Sequence, residues 1–280
     1  MMKHQAKNSL QSVFFKHKEK ILEMRKIITL IIALLLFSCS SESESFTFDA
    51  VLKSSTVNVD QSFLITVSSK ENIMGVRYSF DNFQSGLAVF SDTGYGTSKD
   101  LHFKFLTIGK KTIYIKLIKA GNIESETKAI NITVEKGNSV RITGLKITSF
   151  DGINTVWDSE FDKSNPNSLA DVCFSFSKVA SLNAFGEEGT IQEWFKTPIK
   201  ENQGDLKWSF PTDDLYVDAN GYLIFYIYDQ DGPNLVQVLS SSVNVPHIYL
   251  SPYASTKPAS IDVSFPESNV KFTLDLEWPK

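Results

Sequence analysis

The stretch Val270-Lys271-Phe272-Thr273-Leu274-Asp275-Leu276-Glu277 alternates apolar and polar residues without a break. A period of two places Val270, Phe272, Leu274 and Leu276 on one face and Lys271, Thr273, Asp275 and Glu277 on the other, which is the pattern of a half-buried β-strand. The same period recurs at Phe63-Ile65-Val67, Ile113-Ile115-Leu117, Ile130-Ile132-Val134, Val172-Phe174-Phe176 and Leu223-Phe225-Ile227. Nothing after residue 45 shows a convincing amphipathic helical period. Short strands separated by Gly, Asn, Asp, Ser and Pro clusters predict an all-β chain of two antiparallel β-sandwich domains. The polar break Glu135-Lys136-Gly137-Asn138-Ser139 divides them, giving domains at residues 46–136 and 139–280.

The N-terminus has a different logic. Met24, Arg25 and Lys26 precede the apolar run Ile27 to Phe37, which ends in Ser38-Cys39-Ser40-Ser41. A cationic stub, a short apolar core and small residues make a secretory signal. A spanning helix needs roughly 20 apolar residues, and this run gives way first to Ser41-Glu42-Ser43-Glu44-Ser45. Leu36-Phe37-Ser38-Cys39 resembles the lipobox of bacterial lipoproteins, which implies cleavage before Cys39 and lipidation of its thiol. Residues 1–39 are thus the leader, with Met24 an alternative start, and residues 40–45 a Ser/Glu tether. That tether resembles the export tethers of some Bacteroidetes surface lipoproteins. The resemblance implies an exported chain, lipid-anchored to the cell envelope at the outer membrane, on its periplasmic side or at the cell surface. With Cys39 acylated, only Cys173 remains, so no intrachain disulfide is expected. Its place between Val172 and Phe174 marks it as a small buried apolar residue.

Charge narrows the partners. The leader through Cys39 carries seven Lys/Arg and two Asp/Glu of the chain's 28 and 32, which leaves 21 basic and 30 acidic residues, a net of −9. An acidic surface of that size argues against nucleic acid as a partner.

In the first domain, Val57 to Ile65, Arg77-Tyr78-Ser79-Phe80-Asp81 and Leu101 to Ile115 resemble a degenerate PKD or bacterial Ig-like domain. Gly109 stands where that family turns into a late strand. The resemblance implies a spacer or docking module.

The second domain holds the residues with chemical potential. Ser149-Phe150-Asp151-Gly152 leads into Trp157-Asp158-Ser159-Glu160-Phe161-Asp162, then Asp171-Val172-Cys173-Phe174, and later Tyr228-Asp229-Gln230-Asp231-Gly232-Pro233-Asn234. With Leu206-Lys207-Trp208-Ser209-Phe210 between, this order resembles a C2 domain, in which aspartate loops meet at one rim of a sandwich. The resemblance implies calcium ligands at Asp158, Asp171, Asp229 and Asp231, with Asp162 and Asn234 as auxiliaries. Calcium is a hard cation that takes six to eight oxygens, so converging carboxylates suit it. The same residues also make good metal-free turns, because Asp and Asn side chains bond to nearby backbone.

Enzymatic patterns are missing from the sequence. His4 and His17 fall in the leader, while His102 and His247 belong to no zinc-binding helix motif, and no nucleophile elbow or phosphate loop occurs. His102, on the face opposite Leu101, Phe103 and Phe105, is expected to be exposed, and His247 structural. Glu187, Glu188 and Glu193 define no hydrolytic pair from spacing alone. A second reading takes Trp157, Trp194 and Trp208 as a glycan-stacking platform, against ordinary packing of these rings. The sequence therefore points to a non-enzymatic envelope lipoprotein that acts as a binding or assembly module. It depends on calcium in the first reading, captures glycans in the second, and is a purely structural subunit in a third.

Overall fold

The computed structural model describes residues 45–85, 88–90, 94–182, 186–231, 236–237 and 247–280. The leader, Cys39 and the tether through Glu44 lie outside these residues, as does Asn234. No helix of the described residues is long and apolar enough to cross a membrane.

The first half builds β1 (Asp49–Leu52), β2 (Thr56–Asn58), β3 (Ser62–Ser68), β4 (Gly75–Ser79), β5 (Ala88–Phe90), β6 (Ser98–Lys104), β7 (Gly109–Lys119), β8 (Ile123–Glu124) and β9 (Lys128–Glu135). One sheet has the order β1-β3-β6; the other runs β2-β9-β7-β4-β5, with β8 beside β7. Their facing positions supply one core, in which Ile65, Val67, Val76, Ile113, Ile115 and Leu117 are fully buried. Gly109 opens β7 with a φ of +107°, a backbone state that a side chain would strain. Among the described residues pairing is antiparallel except for β2, which joins β9 in parallel at Thr56↔Thr133.

The second half builds β10 (Val140–Ser149), β11 (Val172–Val179), β12 (Ile191–Lys196), β13 (Lys207–Ser209), β14 (Tyr216–Val217), β15 (Tyr222–Asp229), β16 (Val236–Gln237), β17 (His247–Tyr249), β18 (Ser260–Phe265) and β19 (Val270–Glu277). One sheet follows β13-β10-β19-β18 with β14 beside β10; the other follows β12-β11-β15-β16 with β17 beside β15. Among the described residues, helical structure is confined to single 3-10 turns. The alternation of β19 is kept, its odd positions outward and its even positions in the core. Between the sheets, Phe174, Phe176, Phe225 and Phe272 meet edge-on or tilted at centroid distances of 4.4–5.9 Å. Removing each such side chain from water contributes about 1.5–3 kcal/mol.

Two expectations change. Strand β11 lies between β12 and β15 and is buried along its whole length on both faces, so that Ser175 and Ser177 are buried along with Cys173, whose burial was expected. His102 is only half-exposed, because Gly186 approaches so closely that a Cβ there would lie 2.6 Å from the imidazole. His247 packs edge-on against Tyr222 with ring centroids 4.6 Å apart.

Candidate functional site

Strands β11 and β15 pair antiparallel with Val172 opposite Asp229, so the start of one and the end of the other share a rim of the second sandwich. The Asp171 N–H donates to Asp229 Oδ1 at 2.7 Å, and the Gln230 N–H returns a bond to the Asp171 carbonyl at 2.9 Å. Asp229 is thereby buried and fixed, while Asp231, two residues beyond the strand, is exposed.

The third carboxylate arrives from the long β10–β11 connection. Asn165 accepts from the Asn167 N–H and caps the 3-10 turn Pro166–Ser168. The Ser168 carbonyl then receives the Trp157 N–H at 2.7 Å and the Asp158 N–H at 3.3 Å. Gly152 lies under the Trp157 ring, where a Cβ would stand 2.8 Å from it, and its carbonyl accepts the indole N–H at 2.9 Å. These contacts set Asp158, 8% exposed, against the end of β15.

Carboxylate oxygens of Asp158, Asp229 and Asp231 lie within 4.8 Å of one another. Calcium–oxygen distances of 2.3–2.6 Å put ligands on opposite sides of one ion about 5 Å apart, so three oxygens at this spacing fit within a single coordination shell. Burial, and then the charge and hydrogen bond of Asp231 and the charge of Asp229, push the Asp158 carboxyl up to about 6. Asp229 is raised as well, first by burial, while the bond from Asp171 opposes the rise. A cation held between these groups would relieve their repulsion.

The other residues named from the sequence have other places. The carboxylate of Asp171 accepts the Asn202 N–H at 2.7 Å and so braces the Glu201–Gln203 turn instead of joining the three. Asp162 is exposed in the connection, where its carbonyl caps the Asn165 N–H, outside the carboxylate group. The aromatic platform is corrected by packing. Trp208 is 4% exposed, sits edge-on to Phe174 at 5.1 Å and donates its indole N–H to the Pro198 carbonyl at 2.9 Å. It is a core residue, and no sugar ring can stack on it. Trp157 is half-buried over Gly152, and Trp194 is half-buried under the Lys178 ammonium, 3.4 Å from its ring, so the buried Trp208 cannot join them in one exposed platform. Lys178 itself went unremarked in the sequence. The signal was there: it follows Phe174 and Phe176 at the next inward position of an apolar strand.

No family model matches this chain, and no curated protein does. Among solved structures, the human OSCAR ligand-binding domain is similar at a TM-score of 0.26 and 11% identity, over 71% of this chain and 96% of that one. Fibronectin(III)-like modules of Clostridium thermocellum CbhA score 0.25 at 12% identity over 71% and 98%. The D00-D0 domain of Intimin scores 0.24 at 11% over 68% and 96%. At these scores the likeness says nothing of ligands. The chain's own sheets define its class: an all-β protein of two sandwich bodies, the second carrying a rim of three convergent carboxylates.

Proposed function

We propose that this chain is a non-enzymatic lipoprotein of the cell envelope, held to the membrane through lipid on Cys39, whose second sandwich takes calcium at Asp158, Asp229 and Asp231 and uses the loaded rim to bind or assemble with an envelope partner. The observation that carries the reading is the convergence of three carboxylates from two separate chain segments, two of them largely buried. Burying like charges beside one another is costly without a counter-ion, and a hard divalent cation is the counter-ion that oxygens at this spacing suit. The long β10–β11 connection is then a ligand loop of the kind that C2 domains carry, while Asp171 at its end braces the Glu201–Gln203 turn instead of coordinating. The remaining coordination falls to water, backbone carbonyls or the partner's own acidic groups, which makes calcium a bridge between two acidic surfaces.

Isothermal titration of the full chain in detergent with calcium chloride tests this reading. One saturable site, lost in Asp231→Asn and in Asp158→Asn, supports it. Heats no different from those of Asp231→Asn overturn it.

A further inference from the structure

Away from the rim, the two sandwiches meet at a buried charge cluster. Asp60 follows β2 with a φ of +62° and is 3% exposed. Its N–H donates to the Phe105 carbonyl at 2.8 Å, and the neighbouring Val59 N–H to the Glu135 carbonyl at 2.8 Å, so the residue is pinned to the ends of β6 and β9 in the first body. Its carboxylate reaches into the second body. Oδ1 makes a charge contact with Lys104 Nζ at 2.9 Å; Oδ2 accepts the Asp218 N–H at 3.0 Å and lies 3.3 Å from Lys178 Nζ. Lys178, near the end of β11, has a side chain 1% exposed, donates to the Tyr216 carbonyl at 2.5 Å and covers the Trp194 ring. Around this pair, Tyr216 packs against the first core, and Ser139 Oγ donates to the Val59 carbonyl at 3.2 Å.

A buried ammonium and a buried carboxylate are tolerated together and penalised apart. Sliding or rotating one sandwich on the other would part Asp60 from Lys178 while both stayed out of water. Asp60 would keep Lys104 of its own body, but Lys178 would lose the Asp60 carboxylate, so the native orientation is the one that pairs the buried ammonium with Asp60, a registering role rather than a large net gain in stability. Unfolding of the first body would likewise strip Lys178 of the carboxylate paired with it and uncover Tyr216. We infer that the Asp60–Lys178 pair locks the two sandwiches in one orientation, so that they unfold as a single cooperative unit and the first body is a rigid mount rather than a flexible spacer.

The sequence supplies a clean reporter. All four tryptophans, Trp157, Trp194, Trp208 and Trp278, belong to the second body, so indole emission follows that body while far-UV circular dichroism follows both. Ile65→Ala opens a cavity in the first core, where Ile65 is 0% exposed. In the full chain in detergent, the lock predicts that Ile65→Ala lowers the thermal midpoint seen by tryptophan emission as far as that seen by circular dichroism, by several degrees. In an Asp60→Asn background, the emission midpoint should no longer respond to Ile65→Ala. Asparagine suits the test because it tolerates the left-handed backbone and keeps an oxygen for the Asp218 N–H. If Asp60→Asn does not fold, Lys178→Met takes its place. An emission midpoint unmoved by Ile65→Ala in the otherwise native chain would show two independent bodies. A response fully retained in both Asp60→Asn and Lys178→Met would show that the coupling lies elsewhere. Either result overturns the inference.

Discussion

The Asp171 N–H and the Asp229 carboxylate, 2.7 Å apart, close the rim of the second sandwich and hold one of its three convergent acids in place. Truncating Asp229 to alanine leaves that N–H without its partner, a loss of about 1–3 kcal/mol for a buried group. Asp229→Asn, which keeps an acceptor, should cost much less, and the exposed Asp231→Asn should stay within about 0.5 kcal/mol. Urea unfolding followed by tryptophan emission ranks the three. A tolerated Asp229→Ala would mean that the rim does not depend on this bond.

Trp208 should behave as core. Trp208→Ala is expected to destabilise by about 3–5 kcal/mol, because the ring fills space against Phe174 and its N–H is bonded to Pro198. A chemical denaturation curve measures this. A change below 1 kcal/mol together with lost retention on a glycan column would restore the platform reading.

Lys178 gives a pH signature. Burial depresses its pKa to about 8 from an ordinary 10.5, opposed by Asp60 and Asp218, while the neighbouring Lys104 adds to the depression. The unfolded chain therefore binds more protons than the folded one between these values, and this group's contribution to stability rises as pH climbs from 8 to 10.5. The gap in stability between native protein and Lys178→Met should change in the native protein's favour across that window, as read by denaturant midpoints. A constant gap would mean that the ammonium is not held out of water.

On the proposed lipidation, Cys39→Ser should lower the share of the protein in the membrane fraction and remove its labelling by a radioactive fatty acid, because each acyl methylene buried in the bilayer supplies about 0.8 kcal/mol. Fatty-acid labelling equal in the native chain and in Cys39→Ser would contradict lipidation at this residue.

The strands were legible because one face of most of them meets solvent, so the period of two is written into Phe272, Leu274 and Leu276 and their polar neighbours. Strand β11 departs from that rule, since both its faces are covered; Cys173 was legible as buried, but Ser175 and Ser177 gave no sign of how deeply they lie. Asp229 and Asp231 were legible as acids where one apolar strand gives way to a loop, and Asp158 as an acid of the long polar connection between β10 and β11. The division of labour was not: whether an aspartate joins the carboxylate group or turns to a backbone N–H depends on the Glu201–Gln203 turn, which brings the Asn202 N–H to Asp171 and is far from it in sequence. Trp208 takes the ordinary packing weighed beside the glycan platform, and the alternation of Leu206, Trp208 and Phe210 with Lys207 and Ser209 already marked it as inward.

The most direct test is the thermal midpoint of the full chain in detergent, with millimolar calcium and with a chelator. A ligand at 100 times its dissociation constant stabilises by about 2.7 kcal/mol, roughly 5–10 °C for a body of this size. The account predicts a rise of that order with calcium that the chelator reverses and Asp231→Asn abolishes. An unchanged midpoint, or a rise of the same size in Asp231→Asn, would contradict it and leave the three aspartates as turn residues.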